Sequence, residues 1–382
     1  MKRHCTGRID AGTDRKRGHR KSFIAACSEE YVKIRLKDGV GVKRLVMRNG
    51  ELDRAVLPEK VVAAIGVFDG FHLGHQSLLS EAKRVSGLKG YPVLLMTFHP
   101  HPRTLTGNSG GYERLLTPRD EKALLAEDFG AAYFLSVDFT RELAATTPAH
   151  FVGDYLVKAL SVAHVVCGFN FTFGYRGSGT PTELKEWGAE LGFGVTVVPP
   201  FEVDGETVSS TRIRNALEKG EVSHAARLLG RPYCLHGRVE RGDGRGHRIG
   251  LPTSNISVPA DKVIPGNGVY AAYARFLGED GIVSLPSVVN IGTRPTFGGQ
   301  GVRVECHIPG FQGSLYDREM QVFFVEKIRD EVHFPDASSL REQVLDDIRF
   351  LRSGIGPEGA WLKAHSFTLP GGYDRMLQTH LP

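Results

Sequence analysis

Cysteine is scarce in this 382-residue chain and poorly spaced for cooperation. The five cysteines stand at 5, 27, 167, 234 and 306, so no pair makes a C-x-x-C metal or redox motif. An odd count at such distances fits free thiols in a reducing cytoplasm. Long apolar runs are missing too. No stretch approaches the roughly 20 consecutive apolar residues of a membrane span, which argues against a membrane partner. The basic N-terminus is not followed by the continuous apolar core of a secretory signal. Repeats and low-complexity tracts do not stand out either.

What remains is ordinary globular composition, 41% hydrophobic and 24% charged, over a length that suits two domains. The net charge of +5 misleads when read globally. Residues 1–46 hold 13 Lys and Arg against 5 Asp and Glu, a surplus of +8 that leaves residues 47–382 at −3. The body therefore lacks the basic excess of a nucleic-acid binder. With scattered acids and little apolar periodicity, residues 1–46 read as an unstructured extension, or as sequence upstream of a start at Met47, in preference to a targeting peptide or a nucleic-acid arm.

From Val61 to Pro200 short apolar runs alternate with helix-like stretches. The runs are "VVAAIGVF" (61–68), "YPVLLMTF" (91–98), "AAYFLSV" (131–137), "AHVVCGFN" (163–170) and "FGVTVVPP" (193–200). Continuous runs bounded by turn residues are the pattern of buried parallel strands. Strand–helix alternation at about 30 residues per unit predicts an α/β doubly wound sheet, with its ligand site at the carboxyl ends of the strands. Thr117 is expected to cap a helix with Pro118 at its first position. After about Gly230 the segments "CLHGRVER", "GVYAAYARF", "PSVVNIG", "RVECHI" and "MQVFFVEKI" read as strands without intervening helices, an all-β module. A closing helix is expected with Ser339 and Glu342 as a capping box and Leu340, Val344, Leu345, Ile348 and Leu351 on one face. The spans expected are 1–46 as extension, 47–229 as the α/β domain, 230–352 as the β module and 353–382 as a loose tail.

"GVFDGFHLGH" (66–75) falls at the end of the first of these strands. Its glycines let backbone approach a ligand, and the following helix aims free N–H groups at the turn, as a phosphate site requires. His72 and His75 could donate to a polyphosphate. Metal binding is the rival and needs a third ligand, for which Asp69 is near. Packing is expected to be minor, because a glycine-rich loop offers little core. The stretch resembles the H-x-G-H signature of nucleotidylyltransferases in its FAD synthetase form. "TFHPHP" (97–102), "GFNFTFG" (168–174) and "VSSTRIR" (208–214) are similar to three further motifs of that family. The resemblance implies ATP binding by Gly66, Phe68, Asp69, His72, His75, Asn170, Ser210, Thr211 and Arg214. It implies a flavin-facing loop at Pro100, His101 and Pro102. Physically, Ser210 and Thr211 open a helix and Arg214 lies one turn along, available to a phosphate. Alone, Ser210–Thr211 would be a plain N-cap.

In the β module, "GDGRGHRIGLPTSN" (242–255), "GVYAAYARF" (268–276), "NIGTRPTFGG" (290–299) and "VECHIPGFQGSLYDREMQV" (304–322) resemble the riboflavin kinase domain in order and spacing. The family's P-T-x-N motif falls on Pro252–Asn255, so Thr253 and Asn255 are the implied Mg²⁺ and ATP ligands, hard donors suited to that ion. Gly246 belongs to the implied phosphate-facing loop. The family's base falls on Glu305, which from residue type alone would read as a solvent-facing strand carboxylate. There are departures: His247 and Arg248 shift the usual loop arginine by one place, Thr207 replaces a frequent basic residue, and Asp317 stands where glycine is usual.

The resemblance covers about residues 60–350. It implies a bifunctional riboflavin kinase and FAD synthetase, with a Rossmann-like nucleotidyltransferase domain followed by a small riboflavin-kinase-like β-barrel and a C-terminal helix. The implied small molecules are riboflavin, FMN, FAD and ATP with Mg²⁺. Nucleic acid and membrane partners are not expected, and a monomer or weak homo-oligomer in the cytoplasm is. Two other readings compete: a nucleotidylyltransferase with another phosphate acceptor, and a non-catalytic flavin- or nucleotide-binding regulator.

Overall fold

In the computed structural model, residues 42–48, 51–52, 57–106, 114–242, 250–279, 281–296, 299–356, 358–365, 367 and 369–378 are described. The expected basic extension therefore lies almost wholly outside the described residues, as do Gly246, His247 and Arg248.

Six strands make one parallel sheet: β1 (Lys43–Met47), β2 (Val61–Ile65), β3 (Val93–His99), β4 (Tyr133–Asp138), β5 (Val162–Gly168) and β6 (Gly194–Val198). Their order is β1-β4-β3-β2-β5-β6. The chain steps outward from β2 through β3 to β4, then returns to the other side of β2 for β5. The order thus reverses between β2 and β5, the place where doubly wound sheets bind ligands. The central strand β2 is apolar throughout, Val61 to Ile65 being at most 1% exposed, because helices cover both faces. β1 was not expected. It pairs with β4 from Lys43↔Tyr133 to Met47↔Val137, so a boundary at Met47 would cut through a strand.

The helices that matter for the sites are α1 (Leu73–Lys89), α2 (Arg119–Asp128), α3 (Pro181–Leu191), α4 (Ser210–Glu218) and α5 (Val222–Leu229). Pro118, not Thr117, is the N-cap of α2. The Thr117 hydroxyl instead accepts from the Gly70 N–H at 2.8 Å, a tertiary contact that overrides local capping. The short hairpin β7 (Glu202–Val203) and β8 (Glu206–Thr207) leads into α4.

The remaining strands close a six-stranded antiparallel barrel. They are β9 (Cys234–Glu240), β10 (Ser254–Ser257), β11 (Gly268–Gly278), β12 (Gly281–Thr296), β13 (Gly299–His307) and β14 (Glu319–Arg329), in the order β10-β13-β12-β11-β14-β9. Closure leaves no sheet edge to template wrong pairing. Helix α6 (Ala337–Gly354) follows, capped by Asp336, whose Oδ1 accepts from the Ser339 N–H at 2.8 Å. The expected Ser339 box is therefore displaced by three residues. Leu345 is 37% exposed while Asp347 is 2% exposed. The helix is turned so that Asp347 can form a two-bond ion pair with Arg329 at 2.8 and 2.9 Å.

The described part of the tail expected to be loose is an ordered layer. Its helices α7 (Glu358–Ala364) and α8 (Gly372–Gln378) bury Trp361, Tyr373 and Leu377. The junction between modules is also less sharp than the expected edge at 229/230. Ile213, Leu217, Leu228 and Leu229 of α4 and α5 share one apolar cluster with barrel residues such as Tyr270, Val289 and Phe324. The loop around Lys262 adds main-chain bonds to Leu115 across the modules, with Val263 N–H donating to Leu115 at 2.9 Å.

Candidate active sites

The loop 66–75 leaves the carboxyl end of β2 and turns directly into α1. His72 is the N-cap of that helix, and its Nδ1 accepts from the His75 N–H at 3.4 Å. Accepting at Nδ1 favours the neutral tautomer with its proton on Nε2, which makes that N–H the ring's donor. The two imidazoles stack with centroids 3.7 Å apart. Gly74 packs closely against His72, since a Cβ there would sit 3.2 Å from its Cε1. Burial is the main reason both rings stay neutral. It lowers His72 to about 4, with Arg231 pulling the same way and Asp69 opposing. His75 is also pushed well down by burial, helped by His72, Lys122 and Arg231. Its Nδ1 is buried without a hydrogen-bond partner among the described residues. Neutral donors beside the open N–H groups of the first turn suit a polyphosphate.

The rest of the loop differs from expectation. Phe68 and Phe71 are fully buried in the main core and stacked 5.7 Å apart, and Phe68 backs His75 at 5.2 Å. The loop thus carries core after all, and the Phe68 side chain backs the His75 ring. Asp69 is 1% exposed. Its carboxylate accepts from Leu116 N–H at 3.1 Å and Thr117 N–H at 3.0 Å and pairs with Arg214. Arg214 also donates through Nε to the Arg114 carbonyl at 3.1 Å. Both groups are thereby engaged in holding the loop to α4. Ser210 joins that clasp by donating to the Asp69 carbonyl at 2.8 Å, while Ser209 caps α4 by accepting from Arg212 N–H at 3.2 Å. Thr211 is exposed at the start of α4, and Gly66 lies half-buried at the end of β2.

Asn170 is exposed after β5, the neighbour of β2, so it stands on the other side of the switch point. Pro100, His101 and Pro102 follow β3, the neighbour on the opposite side. His99 and His101 border a small recess with Arg119 and Lys122. Lys122 was not expected. Burial lowers it to about 8, and its Nζ donates to the Val67 carbonyl at 2.8 Å. Arg231 was also not expected. Its guanidinium donates to the Gly70 and Phe71 carbonyls at 2.8 and 3.0 Å. Both are single residues outside any motif, and their partners lie 55 and about 160 positions away.

The barrel holds the second site. A cavity of about 910 Å³ opens between the barrel and α6 and is lined by Thr253, Asn255, Asn290, Arg303, Glu305 and His307, among others. The three implied residues therefore meet on one wall: Asn255 on β10 lies opposite Glu305 on β13 in register. Glu305 faces the cavity and not bulk solvent, and Arg303, two residues back on the same face, donates to Oε1 at 2.9 Å. Asn255 Oδ1 is buried without a partner among the described residues. An unpaired amide oxygen next to a threonine hydroxyl and a carboxylate is a donor set that suits Mg²⁺. Gly242 presses against the same amide, since a Cβ there would fall 2.0 Å from Nδ2. His307 was missed. Its ring contacts the Pro252 carbonyl at 2.8 Å and pins the start of the P-T-x-N segment. The E-x-H spacing could have signalled it, as period two puts both side chains on one face. Asp317 adopts φ +65°, so the family's usual glycine sits where L-residues are strained, and aspartate is among the few replacements that tolerate it.

A glycine-rich loop that opens a helix with a stacked histidine pair at a sheet switch point, joined to a closed barrel whose cavity carries Thr253, Asn255 and Glu305, has the architecture of a two-site nucleotide-dependent transferase. Residues 55–212 match the FAD synthetase family and residues 229–354 the riboflavin kinase family. A bifunctional riboflavin kinase/FMN adenylyltransferase of Listeria monocytogenes is 38% identical over 287 residues, covering 75% of this chain and 90% of that protein. The Escherichia coli K12 protein of the same description is 38% identical over 298 residues, covering 78% and 94%. The Bacillus subtilis one is 35% identical over 291 residues, covering 75% and 90%. A crystal structure titled as a macrolide-efflux protein from Streptococcus pneumoniae shares the fold with TM-score 0.72 and 27% identity, over 80% of this chain and 98% of its own. In this chain no helix among the described residues is long and apolar enough to cross a membrane. The chain belongs to the bifunctional riboflavin kinase/FMN adenylyltransferase family. It converts riboflavin to FMN and FMN to FAD, with ATP, riboflavin and FMN as substrates.

Proposed function

We propose that the two reactions are divided between the two sites, adenylyl transfer at the 66–75 loop and phosphorylation in the barrel cavity. At the loop, an FMN phosphate oxygen attacks the α-phosphorus of ATP, the new P–O bond forms, and the bond to the β-phosphate breaks to release pyrophosphate. His72 and His75 donate hydrogen bonds to the phosphates as charge develops, and the first turn of α1 holds them by its N–H groups. Asp69, Ser210 and Arg214 fix the loop, Asn170 and Thr211 border the nucleotide, and Pro100, His101 and Pro102 face the flavin. No covalent enzyme intermediate is needed; positioning and charge stabilisation carry the step.

In the barrel, Glu305 accepts the proton of the riboflavin 5′-hydroxyl as that oxygen attacks the γ-phosphorus of ATP; the bond from the γ-phosphorus to the bridging oxygen breaks, and ADP leaves as FMN forms. Thr253 and Asn255 hold Mg²⁺ and the ATP phosphates, with Gly246 in the preceding loop, which lies outside the described residues. When bound, Mg²⁺ neutralises charge on the transferred phosphoryl group. The observation that carries this reading is the unpaired Asn255 Oδ1 facing Glu305 across adjacent strands of the cavity wall. We place the enzyme in the cytoplasm as a monomer or weak homo-oligomer without nucleic-acid or membrane partners. Buried free thiols at Cys167, Cys234 and Cys306 and the −3 charge of the body support this.

Product analysis with riboflavin, ATP and Mg²⁺ tests the division. His75→Ala is expected to stop at FMN. Glu305→Ala is expected to make FAD only when FMN is supplied. Full FAD synthesis from riboflavin by either variant would remove that residue from its role.

A further inference from the structure

We propose that the C-terminal segment 355–378 is a positioning element of the adenylyl site, acting through Tyr373 and Arg231. This rests on the reading of the 66–75 loop as that site. The segment lies beyond the riboflavin kinase match, which ends at residue 354, yet its helix α8 reaches back to the α/β module. Tyr373 is 2% exposed. Its hydroxyl accepts from Arg231 Nε at 3.1 Å and donates to Glu121 Oε1 at 3.3 Å. Through its other nitrogens Arg231 holds the carbonyls of Gly70 and Phe71, the residues immediately before His72. Lys262 completes the network from the barrel side, with Nζ 2.6 Å from Glu121 Oε2.

The geometry makes Tyr373 the orienting group. A guanidinium is a rigid fork, and fixing Nε fixes the plane in which the other two nitrogens point. Those two nitrogens set the height of the histidine loop from its buried side. The anchors of α8 are themselves specific. Gly372 N–H donates to Asp128, Arg375 pairs with Asp128 at 2.7 Å, and Arg275 of the barrel pairs with Asp374 at 2.7 Å. A segment that only filled surface would need none of these charged contacts. None of the described tail residues lines the kinase cavity, so the two activities of one molecule separate positioning from general stability.

The test is to measure both activities in full-length Tyr373→Phe, Arg231→Lys and His75→Ala. Tyr373→Phe keeps the ring and removes the hydroxyl. Its kcat for FMN adenylylation is expected to fall about tenfold, as a sub-ångström displacement of a phosphate cradle does, while KM for ATP and the riboflavin kinase rate stay within twofold. Arg231→Lys, which cannot span two carbonyls and a hydroxyl, is expected to lose more adenylylation and again spare the kinase. Unchanged adenylylation in Tyr373→Phe, or a parallel fall of both activities, overturns the proposal when His75→Ala is inactive in adenylylation. If His75→Ala adenylylates normally, the reading of the loop itself is what fails.

Discussion

A histidine pair buried at a helix N-terminus behaves differently from one in water. His72, lowered to about 4, is neutral throughout the physiological range, so adenylylation should show no break near pH 6.5. Stability should show one. Below the unfolded value of 6.5 the unfolded chain takes up a proton that folded His72 refuses until pH falls to about 4. The contribution is complete above 6.5 and is lost progressively on acidification, by roughly 2 kcal/mol between pH 7 and pH 5. Urea unfolding at those two pH values measures it. His72→Asn keeps a capping acceptor and should flatten the pH dependence by that amount; an unaltered slope would show that His72 titrates normally. At this scale, legibility followed chemistry. The meeting of Thr253, Asn255 and Glu305 at one cavity was legible because these side chains sit in short contiguous motifs. Arg231, Lys122 and the engagement of Arg214 by Asp69 were not, because each is defined by a partner far away in sequence.

Among the elements, the buried strands of the sheet announced themselves by continuous apolar runs, and the barrel strands by short segments with no helix-like stretch between them. β1 did not. "KRLVM" is an edge strand with three exposed residues of five, so it lacks the run that a strand covered on both faces shows. β10, of four residues, is too short for its period to register. The tail misled for another reason. Its glycines and prolines mark turns, but its ordering depends on Trp361 and Tyr373 finding the barrel, with the Trp361 ring 6.0 Å from Tyr273. Trp361→Ala tests whether α7 is an integral layer. Emptying a site 9% exposed should cost about 3 kcal/mol in urea unfolding, in one cooperative transition. A loss under about 0.5 kcal/mol, the range of ordinary surface substitutions, would mean that α7 only rests on the surface.

At the scale of the whole molecule, one pair of helices serves both modules. The start of α4 carries the clasp on Asp69, yet its buried face and that of α5 lie in the barrel's apolar cluster. Sequence motifs divide the chain by chemistry, but packing divides it elsewhere. Ile213, Leu217, Val222, Leu228 and Leu229 are each at most 1% exposed. Burying a side chain of this kind is worth about 1.5–3 kcal/mol, so the five together rival the roughly 5–15 kcal/mol that stabilises a typical protein. A kinase fragment that begins at Gly230 loses all of them and leaves Tyr233, Tyr270 and Phe324 without cover. A fragment that begins at Val208 keeps them. The longer fragment is therefore expected to unfold cooperatively and to form FMN from riboflavin, and the shorter one to lose cooperative unfolding under the same conditions. Calorimetry of the two, with FMN formation as the second readout, decides the matter. Equal stability would mean that α4 and α5 belong energetically to the sheet, and that the barrel is a self-sufficient domain from Gly230 onward.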